Sequence, residues 1–260
     1  MAAPRFLWGI ILSLKTFNIT YTENEKAKTN QSFEKTGVII VAAGTASRMS
    51  GQNKILADIL GEPVIVRTIK AFESAEFVSD IVVVTRNDMV LDIEKLVSKY
   101  SLSKVTDIVI GGASRQESVK NGFEVLKSRD DIKNVLIHDG ARPLVTKKVI
   151  ENVVLGAEEF GAAIPTVPVK DTVKKVGALG KVTETLNRSE LCLVQTPQGF
   201  SLECYKKSLE AAGDRLSDFT DDSGVVENAG YTVYTTAGDY NNIKITTPED
   251  LSIAKAILSL

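Results

Sequence analysis

Val38-Ile39-Ile40-Val41-Ala42-Ala43-Gly44-Thr45-Ala46-Ser47-Arg48-Met49, with Lys54 shortly after it, decides how this chain is read. An aliphatic run that stops abruptly in small residues suits a strand buried on both faces of a parallel sheet. Ala42, Ala43 and Gly44 then allow a ligand to approach the backbone closely, because no bulky side chain intervenes. Arg48 and Lys54 place two positive charges beside that turn. A close backbone turn flanked by cations is a way to hold a triphosphate. Taken alone, the same residues also fit an ordinary strand-to-loop turn with two solvated charges.

Outward from this stretch, aliphatic runs at Ile81–Val84, Val105–Ile110 and Val135–Ile137 alternate with amphipathic segments at Pro63–Ala75, Met89–Tyr100 and Arg115–Lys127. Such alternation predicts an α/β fold, Rossmann-like, with a largely parallel twisted sheet and helices on both faces. Ligands of such sheets bind outside the carboxyl ends of the strands. Pro165–Leu191 interrupts the rhythm. There, two β-leaning runs flank Gly177-Ala178-Leu179-Gly180 and read as a protruding hairpin arm over about 167–191. A two-stranded hairpin is marginal alone, and packing against a partner subunit is a natural remedy.

The composition narrows the function further. A net charge of −2 lacks the basic surplus of a nucleic-acid binder, so no nucleic-acid partner is expected. One histidine, His138, makes a His-rich metal centre impossible. Cys192 and Cys204 show neither metal spacing nor a disulfide framework and read as idle thiols in a reducing, cytoplasmic setting. In residues 1–36 an apolar run, Phe6–Leu14, lies behind Arg5. It is too short to span a bilayer and no small-x-small cleavage site follows it. We therefore expect a poorly ordered extension, or an artefact of an upstream start, over 1–36, a single domain over 37–260, and no membrane association.

Further segments carry candidate chemistry. Gly111-Gly112-Ala113-Ser114 follows a strand, with backbone free to approach a flat ligand and Ser114 placed to cap the next helix. His138-Asp139-Gly140-Ala141-Arg142-Pro143 closes another strand. A carboxylate there suits magnesium, which takes one or two carboxylates with phosphate oxygens, and Arg142 suits a phosphate. An Asp–Arg pair fastening a loop explains the same residues. Lys170-Asp171-Thr172 and Asn187-Arg188 lie on the arm, where solvated residues would be ordinary. Asn241–Leu251 reads as a short strand running into a helix start, with Thr247 as cap and Pro248 in the first turn, which accounts for all but Lys244. Thr220-Asp221-Asp222 likewise reads as a cap followed by acids.

Taken together, these segments resemble the 2-C-methyl-D-erythritol 4-phosphate cytidylyltransferases of the non-mevalonate isoprenoid pathway, from about Gly37 to the C-terminus. The resemblance rests on Ala42-Ala43-Gly44…Arg48-Met49…Lys54, Gly111–Ser118, His138–Pro143, Gln195–Phe200 and Ile243–Leu251. It implies transfer of CMP from CTP to methylerythritol phosphate, with Arg48 and Lys54 catalytic and Ala42, Ala43, Gly44, Gly112 and Ser118 binding CTP. It further implies Arg142, Thr172, Arg188 and Lys244 as acceptor-positioning residues, Asp139 as ligand to Mg2+, and a homodimer interlocked through the arm. His138 is expected to be structural. The chain departs from the pattern where Ala46 replaces a glycine, Asn53 replaces a proline, Arg48 and Lys54 stand one residue closer, and Ala113 replaces a frequent acid. Cytidylyl transfer to another polyol phosphate, such as ribitol 5-phosphate, is the nearest alternative. A NAD-dependent dehydrogenase would need three spaced glycines where only Gly44 is present. A non-catalytic binding protein on the same fold is a third reading, against which the retained charges argue.

Overall fold

The computed structural model describes residues 33–44 and 53–260. Arg48, Ala46 and most of the 1–36 segment lie outside the described residues. In chain order come β1 (Thr36–Ala42), β2 (Asp58–Ile59), β3 (Glu62–Pro63), α1 (Val64–Glu73), β4 (Val78–Thr85) and α2 (Val90–Lys99). Next are β5 (Val105–Ile110), α3 (Arg115–Leu126), β6 (Asn134–Asp139), α4 (Lys147–Phe160) and β7 (Ala162–Pro168). The arm contributes β8 (Lys174–Val176) and β9 (Val182–Thr185). After it run β10 (Cys192–Val194), β11 (Gln198–Ser201), α5 (Leu202–Ala212), α6 (Asp222–Asn228), β12 (Tyr234–Ala237) and α7 (Pro248–Leu258).

β1 lies between β4 and β6, parallel to both, and β5 pairs parallel with β4. With neighbours on both edges and helices on both faces, Val38, Ile39 and Ile40 have no exposed surface. The two-residue period of the strand sorts them. Val38 and Ile40 pack with Ile69 and Phe72 of α1, Ile93 of α2 and Val153 of α4. Ile39 faces the opposite way, onto Phe123 of α3 and Tyr205 of α5. β11 runs antiparallel to β6 and β7, β10 antiparallel to β7, and β12 parallel to β7. The expected α/β architecture is therefore present, largely parallel and doubly covered. β1 begins at Thr36, one residue ahead of the anticipated start, and Phe33 packs at a tilt on Phe77 with ring centroids 4.5 Å apart.

Local signals explain the helix starts that matter for the site. Ser114 accepts from the Glu117 N–H while the Glu117 carboxylate accepts from Ser114 N, closing a capping box ahead of α3. At α6 the cap sits one residue later than the sequence reading placed it. Asp221, not Thr220, accepts from Gly224 N at 3.0 Å, because a carboxylate satisfies that donor while its other oxygen takes Ser223 and Gln198. Asp250 reaches back to Thr247 N, completing the start of α7.

The arm is the predicted hairpin. β8 and β9 pair antiparallel, and every residue of both is exposed, Val176 and Val182 included. Its base is tied to the domain by Tyr240, whose hydroxyl donates to Pro168 O at 2.7 Å, and by Lys170 stacked 3.5 Å over the Tyr240 ring. Among the described residues no helix is long and apolar enough to cross a membrane.

Candidate active site

The carboxyl ends of β1, β4, β5 and β6 open onto one cavity of about 520 Å³. β1 brings Ala42, Ala43 and Gly44 to its wall, β5 brings Gly111 and Gly112, β6 brings Asp139, and Lys54 and Lys244 arrive on connecting segments. Parallel strands all end on the same side of the sheet, so segments far apart in the chain meet there.

The glycine turn is built for close approach. A Cβ on Gly111 would stand 2.5 Å from the Ala43 Cβ, and one on Gly112 2.4 Å from the Glu117 Cβ. Among the described residues, none comes within 4 Å of a Cβ placed on Gly44. Gly111 and Gly112 therefore let the walls of the cavity meet. Ser118 stabilises the turn: its hydroxyl accepts from Gly112 N at 3.1 Å and donates to Ser114 O at 2.9 Å. Both bonds lie inside the loop, so Ser118 acts on the cavity largely by fixing Gly112.

Asp139 is the electrostatic centre. Lys244 Nζ stands 2.8 Å from one carboxylate oxygen, with Arg142 Nε at 3.7 Å, and Arg115 Nε lies 3.4 Å from the other. Burial by itself would raise the Asp139 pKa, but Lys244 and Arg115 override it and hold the carboxyl well below the usual carboxylate range. Lys244 reaches this position because its segment is docked on the loop after β6. Ile245 N donates to Ala141 O, and Asn242 offers its carbonyl to Arg142 Nη1 at 2.7 Å. Asn242 Nδ2 in turn donates to Thr196 O. Arg142 is thus largely buried and engaged by its own chain.

Arg115 was not singled out by any motif, yet it links the cavity to the interior. Its Nη1 pairs with Asp222 at 2.8 Å, a carboxylate with no exposed surface. The other Asp222 oxygen accepts the Tyr205 hydroxyl at 2.9 Å, and Gln198 Oε1 accepts from the Asp222 and Ser223 N–H groups. Burial raises the Asp222 pKa and the Arg115 guanidinium opposes it. The signal in the sequence, two acids behind a Thr220 cap, gave no hint of a buried partner for Asp222.

His138 is structural, as expected. Its Nε2 donates to Arg142 O and its Nδ1 accepts from the Thr196 hydroxyl, both at 3.1 Å, while Thr196 Oγ1 accepts from Asp139 N. That pattern requires the neutral ring. Burial pushes its pKa down to about 4, from 6.5. Because the folded value lies below the unfolded one, the stability from this group is complete above pH 6.5 and is lost as pH falls towards 4. In urea unfolding, the wild type is expected to lose up to about 1.4 kcal/mol per pH unit across that window through this group. His138→Gln should show a correspondingly flatter profile. Equal slopes in the two proteins would contradict the assignment.

Thr172 and Arg188, on the arm, do not line this cavity. Arg188 Nη1 donates to Lys170 O at 2.7 Å, which braces the arm's base. Cys192 and Cys204 are both free thiols.

The family model for 2-C-methyl-D-erythritol 4-phosphate cytidylyltransferase matches residues 36–260. A protein of that name from Bacillus cereus is 45% identical over 222 residues, covering 85% of this chain and 96% of its own. One from Clostridium novyi is 44% identical over 230 residues, covering 86% of this chain and 96% of its own. Among solved structures, 4-diphosphocytidyl-2C-methyl-D-erythritol synthase from Anaerococcus prevotii superposes with a TM-score of 0.75 at 29% identity, over 87% of this chain and 99% of its own. The 2-C-methyl-D-erythritol 4-phosphate cytidylyltransferase from Thermus thermophilus gives 0.71 at 27% identity, over 87% of this chain and 100% of its own.

Proposed function

Because the chain belongs to the 2-C-methyl-D-erythritol 4-phosphate cytidylyltransferase family, we propose that the cavity at the ends of β1, β4, β5 and β6 is where it works. The protein transfers CMP from CTP to 2-C-methyl-D-erythritol 4-phosphate, releasing pyrophosphate and forming 4-diphosphocytidyl-2-C-methyl-D-erythritol for isoprenoid biosynthesis. An acceptor phosphate oxygen attacks the α-phosphorus of CTP, the new P–O bond forms as the bond to the β-phosphate oxygen breaks, and pyrophosphate leaves. The acceptor is already anionic near neutral pH, so the reaction needs no general base. That matches a cavity whose nearest histidine is buried and neutral.

In this reading the Ala42–Gly44 backbone lies against the nucleotide and Gly112, fixed by Ser118, against the base. Arg48 and Lys54 neutralise charge on the phosphates during transfer. Lys244 and Arg142 position the acceptor phosphate. The observation that carries the reading is the convergence of Lys54, Lys244 and Asp139 on the one cavity that Gly44, Gly111 and Gly112 also line.

Mg2+ belongs to the same proposal. A deprotonated carboxylate beside a phosphate site has the donor chemistry that magnesium takes together with phosphate oxygens, and Asp139 fits it. Bound there, the ion would supply charge neutralisation to the triphosphate. Since Lys244 holds Asp139 at 2.8 Å, it would exchange that carboxylate for acceptor phosphate as substrates enter.

The arm completes the proposal, in a cytoplasmic homodimer. Exposed Val176 and Val182 on an otherwise unsupported hairpin call for a covering surface, and a second copy would bring Thr172 and Arg188 to its partner's cavity. Mixing Arg188→Ala with Lys54→Ala tests this. If arms cross, each mixed dimer contains one intact site, and activity should recover to about one quarter of wild type after subunit exchange. Mixtures no more active than the separate variants would overturn the crossed arm.

A further inference from the structure

Resting on the nucleotide reading of this cavity, we infer that Arg86 is an additional contact to the phosphate chain of CTP, paired with Asp88 until nucleotide arrives. No motif in the sequence covers this residue. It follows Thr85, the last residue of β4, whose register partners are Ala42 on one side and Ile110 on the other. Gly111 N donates to Thr85 O at 2.8 Å, locking that edge. Arg86 therefore emerges between Ala43 and Gly111, the two turns that form the cavity's floor and wall, and it lines the cavity itself.

Its present partner is poorly suited to keep it. Nε and Nη2 form a fork on the Asp88 carboxylate at 2.9 and 2.8 Å. Asp88 lies outside the cavity lining and its side chain is 67% exposed, against 29% for Arg86. An exposed pair of this kind is worth little. The same two N–H groups fit two phosphate oxygens, and a phosphate chain carries more charge than one carboxylate. The cavity is biased the same way. Among the described residues, Lys54, Arg86, Arg115 and Lys244 line it against a single carboxylate, Asp139. Arg115 and Lys244 are already committed to Asp139, whereas Arg86 faces only a carboxylate that solvent can replace.

Calorimetric titration with CTP, and displacement of CTP by cytidine, test the inference on wild type, Arg86→Gln, Asp88→Asn and Lys54→Ala. Arg86→Gln should bind CTP about tenfold more weakly, the loss expected for a charge-assisted fork, with cytidine unchanged. Asp88→Asn should bind CTP at least as tightly as wild type, since a competitor for the fork is gone. Unchanged CTP affinity in Arg86→Gln, or an equal loss for cytidine, would overturn the contact. If Lys54→Ala still loses CTP binding, that failure is confined to Arg86. Wild type that does not bind CTP would overturn the nucleotide site and this contact with it.

Discussion

Lys54→Ala is expected to lower turnover by about 10²-fold or more at saturating CTP and acceptor, the cost of removing one preorganised donor from developing charge. The substitution should remove charge without disturbing the fold. Ile55 beside it is buried, and Ile65 N donates to Ile55 O at 3.0 Å. On the other side, Asn53 Oδ1 accepts from Ile55 N. The backbone at Lys54 is therefore fixed by its neighbours, and the wild-type unfolding midpoint should be retained. Single-turnover pyrophosphate release separates chemistry from binding. A variant with near-normal turnover would remove Lys54 from the catalytic account.

Arg115→Leu is expected to destabilise the fold by about 3–5 kcal/mol, because it leaves the Asp222 carboxylate buried without its cation. Asp222 has no exposed surface and would keep only the Tyr205 hydroxyl as a donor. The pH dependence gives this loss a signature. Without Arg115 the Asp222 pKa rises further above its unfolded value, so the variant's deficit is largest well above that value and shrinks as acid protonates the carboxyl. The double variant Arg115→Leu/Asp222→Asn should regain much of the lost stability, since no uncompensated charge then remains. A single variant as stable as wild type, or a deficit independent of pH, would show that this pair does not anchor the site.

What the sequence revealed, and what it hid, follows from where the information lies. β1, β4, β5 and β6 were legible because a strand covered on both faces must be aliphatic throughout, and such runs stand out. β11 and β12 were not. Gln198-Gly199-Phe200-Ser201 and Tyr234-Thr235-Thr236-Ala237 carry no aliphatic run, and they become strands by pairing with β6 and β7. Asp139 and Lys244 were legible as motifs, but their 2.8 Å approach depends on Asn242 and Ile245 docking on the loop after β6, which is a property of the fold. Arg115 and Asp222 stayed hidden for the same reason. Each reads as an ordinary charge at a helix start, and only the folded chain, which brings the first residues of α3 and α6 to 2.8 Å, shows them to be a pair.

Gln195–Phe200 shows the same limit from another side. The sequence assigned it no chemical role, and none of its residues lines the cavity. Yet Thr196 orders His138 and receives the Asp139 N–H, and Gln198 holds the start of α6. These residues fix the Asp139 carboxylate indirectly, a task that leaves no charge pattern to read.

The most direct test of the account is pyrophosphate release from CTP with Mg2+, with 2-C-methyl-D-erythritol 4-phosphate and ribitol 5-phosphate as rival acceptors and ATP, GTP and UTP as controls. Turnover with CTP and methylerythritol phosphate alone is the predicted result. Turnover with ribitol phosphate in its place, or no release with any pair, would contradict it.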